Sequence, residues 1–148
     1  MTDSSPASDS PDFAAELRYS FFRLTRRLRS ARAVDAMSDT QTATLGVLRA
    51  HGRRTISALA EHEHVTAPTM STTINGLVDL GLVVRIPDED DRRRVYVELT
   101  EQGESVVTET IRKRNRLLAD MIDRQNFTAE ELAVLTEAST LLRKMADA

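Results

Sequence analysis

The 148-residue chain contains no cysteine, no tryptophan and only five glycines. Without cysteine it cannot form a disulfide, a thiolate zinc site, an iron–sulfur cluster or a cysteine nucleophile. No apolar run approaches the roughly 20 residues that a membrane-spanning helix needs. The first eleven residues hold no Lys or Arg and no apolar stretch, so we expect neither a signal peptide nor a transit peptide. These absences favour a cytoplasmic protein.

The usual equipment of an enzyme is also missing. No Ser/His/acid order, no glycine-rich phosphate loop and no metal-binding His spacing occurs. His62 and His64 are two residues apart and would point to nearly opposite sides of a helix. A calcium loop starting at Asp88 would have Arg93 where glycine is needed and Leu99 where glutamate is needed. We therefore predict that the chain is not an enzyme and has no cofactor and no metal.

The charge balance is slightly acidic, with 20 basic and 23 acidic side chains and a formal net charge of −3. Nucleic-acid-binding proteins are often basic overall, so this argues mildly against DNA as a partner. The distribution of charge matters more than the sum, because an acidic body can carry a basic face. Apolar residues make up 41% of the chain, which is typical of a folded domain.

The N-terminal third predicts a tail followed by helices. Residues 1–11 are rich in Ser, Asp and Pro and predict a disordered tail. A helix is expected over 12–32, with one apolar face formed by Leu17, Phe21, Leu24 and Leu28. We expect its arginines to pair with Asp and Glu of the terminal helices. These arginines are Arg18, Arg23, Arg26, Arg27, Arg29 and Arg32.

Three further helices are predicted from their ends. Ser38 and Gln41 form a capping box that opens a helix ending at Gly52. Thr55 can cap a short helix. Thr66, followed by Pro68, opens a helix that Gly81 closes.

After Gly81 the apolar period changes to two, which predicts strands over Leu82–Ile86 and Val95–Leu99. The charged segment 87–93 is the hairpin between them. At its tip we expect Asp91 to orient Arg93 by a bidentate pair. Thr100 caps a helix that extends to about Arg124.

A second capping box, over 128–131, opens the last helix. The order helix, helix, helix, strand, charged turn, strand predicts a winged helix-turn-helix. The fold class is therefore mainly α with a small β-hairpin. Such a fold places the N-terminal end of its second helix in the major groove of DNA, and wing arginines suit phosphates and a narrow minor groove. The predicted DNA-binding residues are Thr66, Ala67, Pro68, Thr69, Ser71, Thr72, Asn75, Asp91, Arg92, Arg93 and Arg94.

Four segments closely resemble the MarR family of bacterial regulators: Pro68–Ser71, Leu77–Val83, Asp88–Arg94 and Val97–Gly103. The wing matches that family's Asp-x-Arg signature at 91–93, and the following strand ends in Leu-Thr-x-x-Gly at 99–103. The resemblance covers roughly Asp12 to the C-terminus. It departs at Thr72 and Gly76, since many relatives carry a basic residue at or near each position.

The resemblance implies a single domain over 12–148. Its dimerisation helices would be 12–34 and 104–146, its winged helix-turn-helix 38–103, and the working form a homodimer. It also implies repression at a pseudo-palindromic operator, relieved by a small aromatic or lipophilic acid. Arginines of the first helix, namely Arg18, Arg23, Arg26 and Arg27, are candidate partners for such a carboxylate. The alternative is a winged-helix protein-interaction module without DNA binding, which would not need the wing arginines.

Overall fold

The computed structural model describes residues 11–91 and 93–146, and contact clustering divides the chain after Arg114 into two compact units. The elements in order are α1 (Pro11–Arg29), α2 (Asp39–His51), β1 (Arg54–Thr55), α3 (Ile56–His62), α4 (Ala67–Asp79), β2 (Val83–Pro87), β3 (Val95–Leu99), α5 (Glu101–Asp123) and α6 (Ala129–Ala146). The predicted fold class, mainly α with a small β-hairpin in a winged helix-turn-helix, is confirmed.

The core of the first unit lies where α2, α3 and α4 meet the sheet. Leu59, Met70, Ile74, Leu77 and Val97 are completely buried there. The other buried apolar side chains of this cluster are Met37, Leu45, Val47, Leu48, Ala60, Leu82, Val83 and Val107. Thr44 is buried among them, and its hydroxyl donates to the Thr40 carbonyl at 2.8 Å. Every element that shapes the wing and α4 is therefore anchored in one apolar cluster.

The helix starts are those that the sequence predicts. Ser38 and Gln41 form the complete capping box of α2, and Gly52 ends that helix at a φ of +72°. The hydroxyls of Thr55 and Thr66 accept hydrogen bonds from Ala58 N and Thr69 N and cap α3 and α4. These features were predictable because each cap depends only on residues three positions apart.

The wing is an antiparallel sheet with strand order β1-β3-β2. Val83 pairs with Leu99 and Pro87 with Val95, while Arg54 pairs with Val97. The first long strand begins and ends one residue later than the predicted Leu82–Ile86, because the Leu82 carbonyl instead accepts a bond from Thr100 N. Strand β1 was not predicted, since two residues are too few to show a period.

The connection between α1 and α2 differs from prediction. The first helix starts at Pro11, which the prediction assigned to the tail, and ends at Arg29 rather than Arg32. The Arg32 guanidinium bonds to the Met37 carbonyl and to Asp39, and its own carbonyl accepts from Lys113 Nζ at 2.9 Å. These side-chain bonds hold the backbone out of helical geometry. The predicted tail, apart from Pro11, lies outside the described residues.

The arginines of α1 are also not paired as predicted. In the described part of the chain, none of those within α1 forms a salt bridge. Arg23 instead lies over the ring of Tyr19, 5.7 Å from its centroid. The stripe of Leu17, Phe21, Leu24 and Leu28 is the less exposed face of α1, as expected, although no residue of the helix is buried.

The second unit comprises the end of α5 and all of α6. Thr128 and Glu131 form the predicted capping box: Thr128 N donates to Glu131 Oε2 at 2.8 Å, and Glu131 N to Thr128 Oγ1 at 3.2 Å. No residue of α6 is buried, and Val134 and Met145 are about two-thirds exposed, at 65% and 64%. None of the described helices is long and apolar enough to cross a membrane.

Candidate nucleic-acid interface

The orientation of α4 is fixed by its buried stripe. Met70, Ile74 and Leu77 follow one another at intervals of four and three residues and are all fully buried. The opposite face, which includes Pro68, Thr72 and Asn75, therefore points to solvent. Of the other predicted residues, Thr66, Ala67 and Thr69 are exposed at the start of the helix, and Ser71 is half-buried. The predicted α4 residues thus lie together at the N-terminal end and along the outer face.

Most hydroxyls on this helix are already engaged with backbone. Thr72 donates to the Pro68 carbonyl and Thr73 to the Thr69 carbonyl, both at 3.1 Å. Thr66 Oγ1 lies 2.8 Å from Thr69 Oγ1 and caps the helix. A threonine whose proton is donated to the preceding turn offers only lone pairs and its methyl group to a ligand. Helix α4 has no Lys or Arg, so its outer face is uncharged over most of its length.

The wing tip is a compact turn closed by its own carboxylate. Asp88 Oδ1 accepts hydrogen bonds from Asp90 N at 2.8 Å and from Asp91 N at 3.2 Å. These backbone donors lower the pKa of Asp88 below its ordinary value of 3.8, because they stabilise the ionised carboxylate. Asp88 N in turn donates to the Arg94 carbonyl at 3.0 Å. The acidic side chain that resembled a calcium ligand is therefore a structural part of the turn.

The pairing at Asp91 is not the predicted bidentate one. Its Oδ1 accepts from Arg93 N at 3.0 Å and from Arg93 Nε at 3.3 Å, while Oδ2 is 4.0 Å from Arg94 Nε. One oxygen thus holds the Arg93 backbone as well as its side chain. The side chains of Arg93 and Arg94 remain 93% and 64% exposed. Arg92, the third predicted wing arginine, lies outside the described residues.

A further cation next to α4 was missed by the sequence prediction. Arg85 of β2 donates from Nη2 to Asn75 Oδ1 at 2.8 Å. Arg85 pairs with Val97 in the sheet and stands on the same sheet face as the buried Val83. The only signal in the sequence was a charged residue at an inward position of an alternating strand. Its partner on α4 could not be identified without the fold.

Gly76, one of the two departures from the family pattern, has a structural reason. A Cβ at this position would lie 2.6 Å from Gln41 Nε2. The same Gln41 side chain accepts from Ser38 N through Oε1, at 2.8 Å, as one half of the α2 capping box. Glycine at 76 therefore leaves the space in which the α2 cap sits against α4.

The histidines lie away from this surface. His62 ends α3, and His64 follows in a left-handed turn with a φ of +53°, so both belong to the exposed end of that helix, as predicted. His62 instead neighbours His51 of α2, with ring centroids 5.7 Å apart. Among the described residues, no three or more His, Cys, Asp or Glu side chains form a cluster that could hold a metal ion.

Comparison with known proteins agrees with this geometry. A family model described as the MarR family matches residues 37–94. An HTH-type transcriptional regulator of Mycobacterium bovis is 33% identical over 134 residues, which cover 90% of this chain and 92% of that protein. A MarR family protein from Bacillus stearothermophilus has a TM-score of 0.80 at 25% identity, covering 98% of this chain and 100% of that one.

A structure of Streptococcus pneumoniae FabT in complex with DNA has a TM-score of 0.68 at 25% identity. The match covers 93% of this chain and 98% of that one. The winged helix-turn-helix geometry, the matching family model and the full-length relatives agree with one another. The chain belongs to the MarR family of DNA-binding transcriptional regulators and is not an enzyme.

Proposed function

We propose that this protein binds a pseudo-palindromic operator as a homodimer and represses transcription there. The observation that carries the proposal is the combination of two exposed surfaces in one rigid winged unit. The outer face of α4 offers methyl groups, hydroxyl lone pairs and an amide, and the wing offers exposed guanidinium groups. These are the groups that contact base edges and phosphates, respectively. FabT, whose fold is similar, has been solved bound to DNA.

The division of labour between the two surfaces follows from their charge. Helix α4 carries no cation, so it contributes little to attraction by the phosphate backbone. Arg93 and Arg94, with the predicted wing contact Arg92, supply that attraction from outside the helix. We therefore assign sequence discrimination to the predicted α4 residues and most of the salt-dependent affinity to the wing.

The proposed dimer is formed by segments 12–34 and 104–146, with the winged helix-turn-helix over 38–103. It is supported by large apolar side chains that the single chain leaves exposed on α1, including Phe13, Tyr19 and Phe22, and on α6, including Leu132, Val134 and Leu141. A twofold axis would place two α4 helices on half-sites about 10 bp apart, which requires a pseudo-palindrome. Light scattering at micromolar concentration tests the dimer, and a clean monomer would contradict it.

We also propose that a small aromatic or lipophilic acid releases the repressor. Arg26 and Arg29 line a cleft of about 350 Å³ between the end of α1 and the start of α2. Arg32 is there too, but Asp39 already binds it. Of the four arginines predicted as carboxylate partners, only Arg26 lines this cleft. A ligand that prefers a dimer with the wrong spacing of α4 helices would shift the population away from DNA.

Two experiments test these proposals. Selection of bound fragments from the protein's own genome, followed by footprinting, should yield a pseudo-palindromic motif. Titration of salicylate into the protein–operator complex should raise the DNA dissociation constant, and Arg26→Met should reduce this response. If millimolar salicylate and related aromatic acids leave the dissociation constant unchanged, the proposed release mechanism is wrong, while DNA binding itself is unaffected by that result.

A further inference from the structure

The contact between Asn75 and Arg85 determines what the amide of Asn75 can offer to DNA. Arg85 Nη2 lies 2.8 Å from Asn75 Oδ1, and both side chains are exposed. Arginine has five N–H donors and no acceptor. The Asn75 atom that faces it must therefore be the carbonyl oxygen, whichever way the amide is first placed. The Asn75 Nδ2 group, with its two protons, is left directed away from Arg85.

An asparagine in this state cannot make the usual contact with adenine. That contact is bidentate: the amide oxygen accepts from adenine N6 and the amide nitrogen donates to N7. With Oδ1 engaged, Asn75 and Arg85 together present only N–H donors. Guanine offers two acceptors on its major-groove edge, O6 and N7, whereas adenine places its N6 donor where these side chains need an acceptor.

We propose that Arg85 is a positioning residue that turns Asn75 into a donor-only reader, so that the pair selects guanine over adenine at one base pair of each half-site. This inference rests on the proposed DNA-binding function and adds Arg85 to the residues that determine specificity. The rest of α4 makes the assignment distinct, because the hydroxyl protons of Thr72 and Thr73 are donated to its backbone. Asn75 and Arg85 are thus strong donors beside a surface that offers methyls and lone pairs.

The test is selection from a randomised duplex DNA library with the full-length protein and four variants. Asn75→Ala identifies the base pair that Asn75 reads, because the preference there becomes flat. We expect guanine at that position for the wild type. Arg85→Met frees the amide oxygen, and the preference should move toward adenine by about tenfold, the size of one bidentate base contact. Arg112→Met removes the same charge from α5, where Arg112 pairs with Glu109, and should leave the motif unchanged.

A second variant keeps the test decisive if Arg85→Met is poorly folded, which melting followed by circular dichroism would reveal. Asn75→Asp retains a partner for Arg85 but removes both amide donors, so the guanine preference should fall by about tenfold. A wild-type motif with adenine at this position would overturn the inference. So would a uniform loss of affinity with unchanged base preference in both Arg85→Met and Asn75→Asp. If the wild type enriches no motif at all, the proposed function fails as well, which separates the two failures.

Discussion

Gly103 lies so close to the backbone of Leu82 that a Cβ on it would come within 2.0 Å of the Leu82 carbonyl oxygen. That oxygen also accepts a hydrogen bond from Thr100 N at 3.0 Å, and Thr100 Oγ1 donates to the Gly81 carbonyl at 2.7 Å. Thr100 Oγ1 then accepts from Gly103 N at 3.0 Å. The Leu-Thr-x-x-Gly pattern at 99–103 therefore joins the start of α5 to the start of the wing.

Gly103→Ala should destabilise the protein by about 3 kcal/mol, since the obstructing atom is backbone and cannot move aside cheaply. Urea unfolding followed by circular dichroism measures the loss. Gly46→Ala is the matched control, because a Cβ there meets nothing within 4 Å inside α2. That control should stabilise by up to about 1 kcal/mol through helix propensity. Equal effects of the two substitutions would show that the contact with Leu82 is unimportant.

The caps were predictable from the sequence, but contacts such as Gly103–Leu82 and Asn75–Arg85 were not. Ser38 with Gln41 and Thr128 with Glu131 act over three residues, so the chain announces them locally. Gly103 and Leu82 are far apart in sequence, and their approach depends on the register of the wing. The exit from α1 was misplaced for the same reason: Arg32 is held by Met37, Asp39 and Lys113 rather than by its helical neighbours.

Gly76→Ala should change stability little by itself. The gain in helix propensity, about 1 kcal/mol, should be offset because the added methyl displaces Gln41 and weakens the α2 cap, which is worth about as much. In a Gln41→Ala background the same substitution should give the full gain of about 1 kcal/mol. Denaturant unfolding of the four proteins completes the cycle. If Gly76→Ala has the same effect in both backgrounds, Gln41 does not constrain this position.

Replacing Arg93 and Arg94 together by alanine should weaken binding to every DNA sequence. Each lost phosphate contact should flatten the log–log dependence of affinity on salt by about 0.9. Fluorescence anisotropy over a range of salt concentrations measures both effects. The control is Arg112→Ala with Arg116→Ala, which removes the same charge from α5. A wing variant with unchanged affinity and slope would favour the alternative of a winged helix used only for protein contacts.

The wing turn should lose stability at low pH through Asp88. The amides of Asp90 and Asp91 stabilise its ionised form, so its folded pKa lies below the ordinary 3.8. The contribution is therefore present above pH 3.8 and is lost as the pH falls through the folded pKa. An NMR titration of the Asp88 carboxyl should give a midpoint below 3.8. A midpoint at or above that value would mean that these amides do not hold the carboxylate in solution.

Replacing base-facing threonines should separate specificity from charge. Thr69→Val and Thr72→Val keep the shape and one methyl but remove the hydroxyl, so base preference should change by about 1–3 kcal/mol per lost specific contact. The salt slope should stay the same because α4 carries no cation. Library selection and anisotropy together make the comparison. A change in slope without a change in preference would assign these residues to phosphate contacts.

Footprinting of the wild-type protein on fragments selected from its own genome tests DNA reading by α4 and the wing most directly. We predict protection of a pseudo-palindrome whose half-site centres lie about 10 bp apart, with affinity that falls steeply as salt rises. Enrichment of no sequence over random DNA, even at low salt, would contradict it.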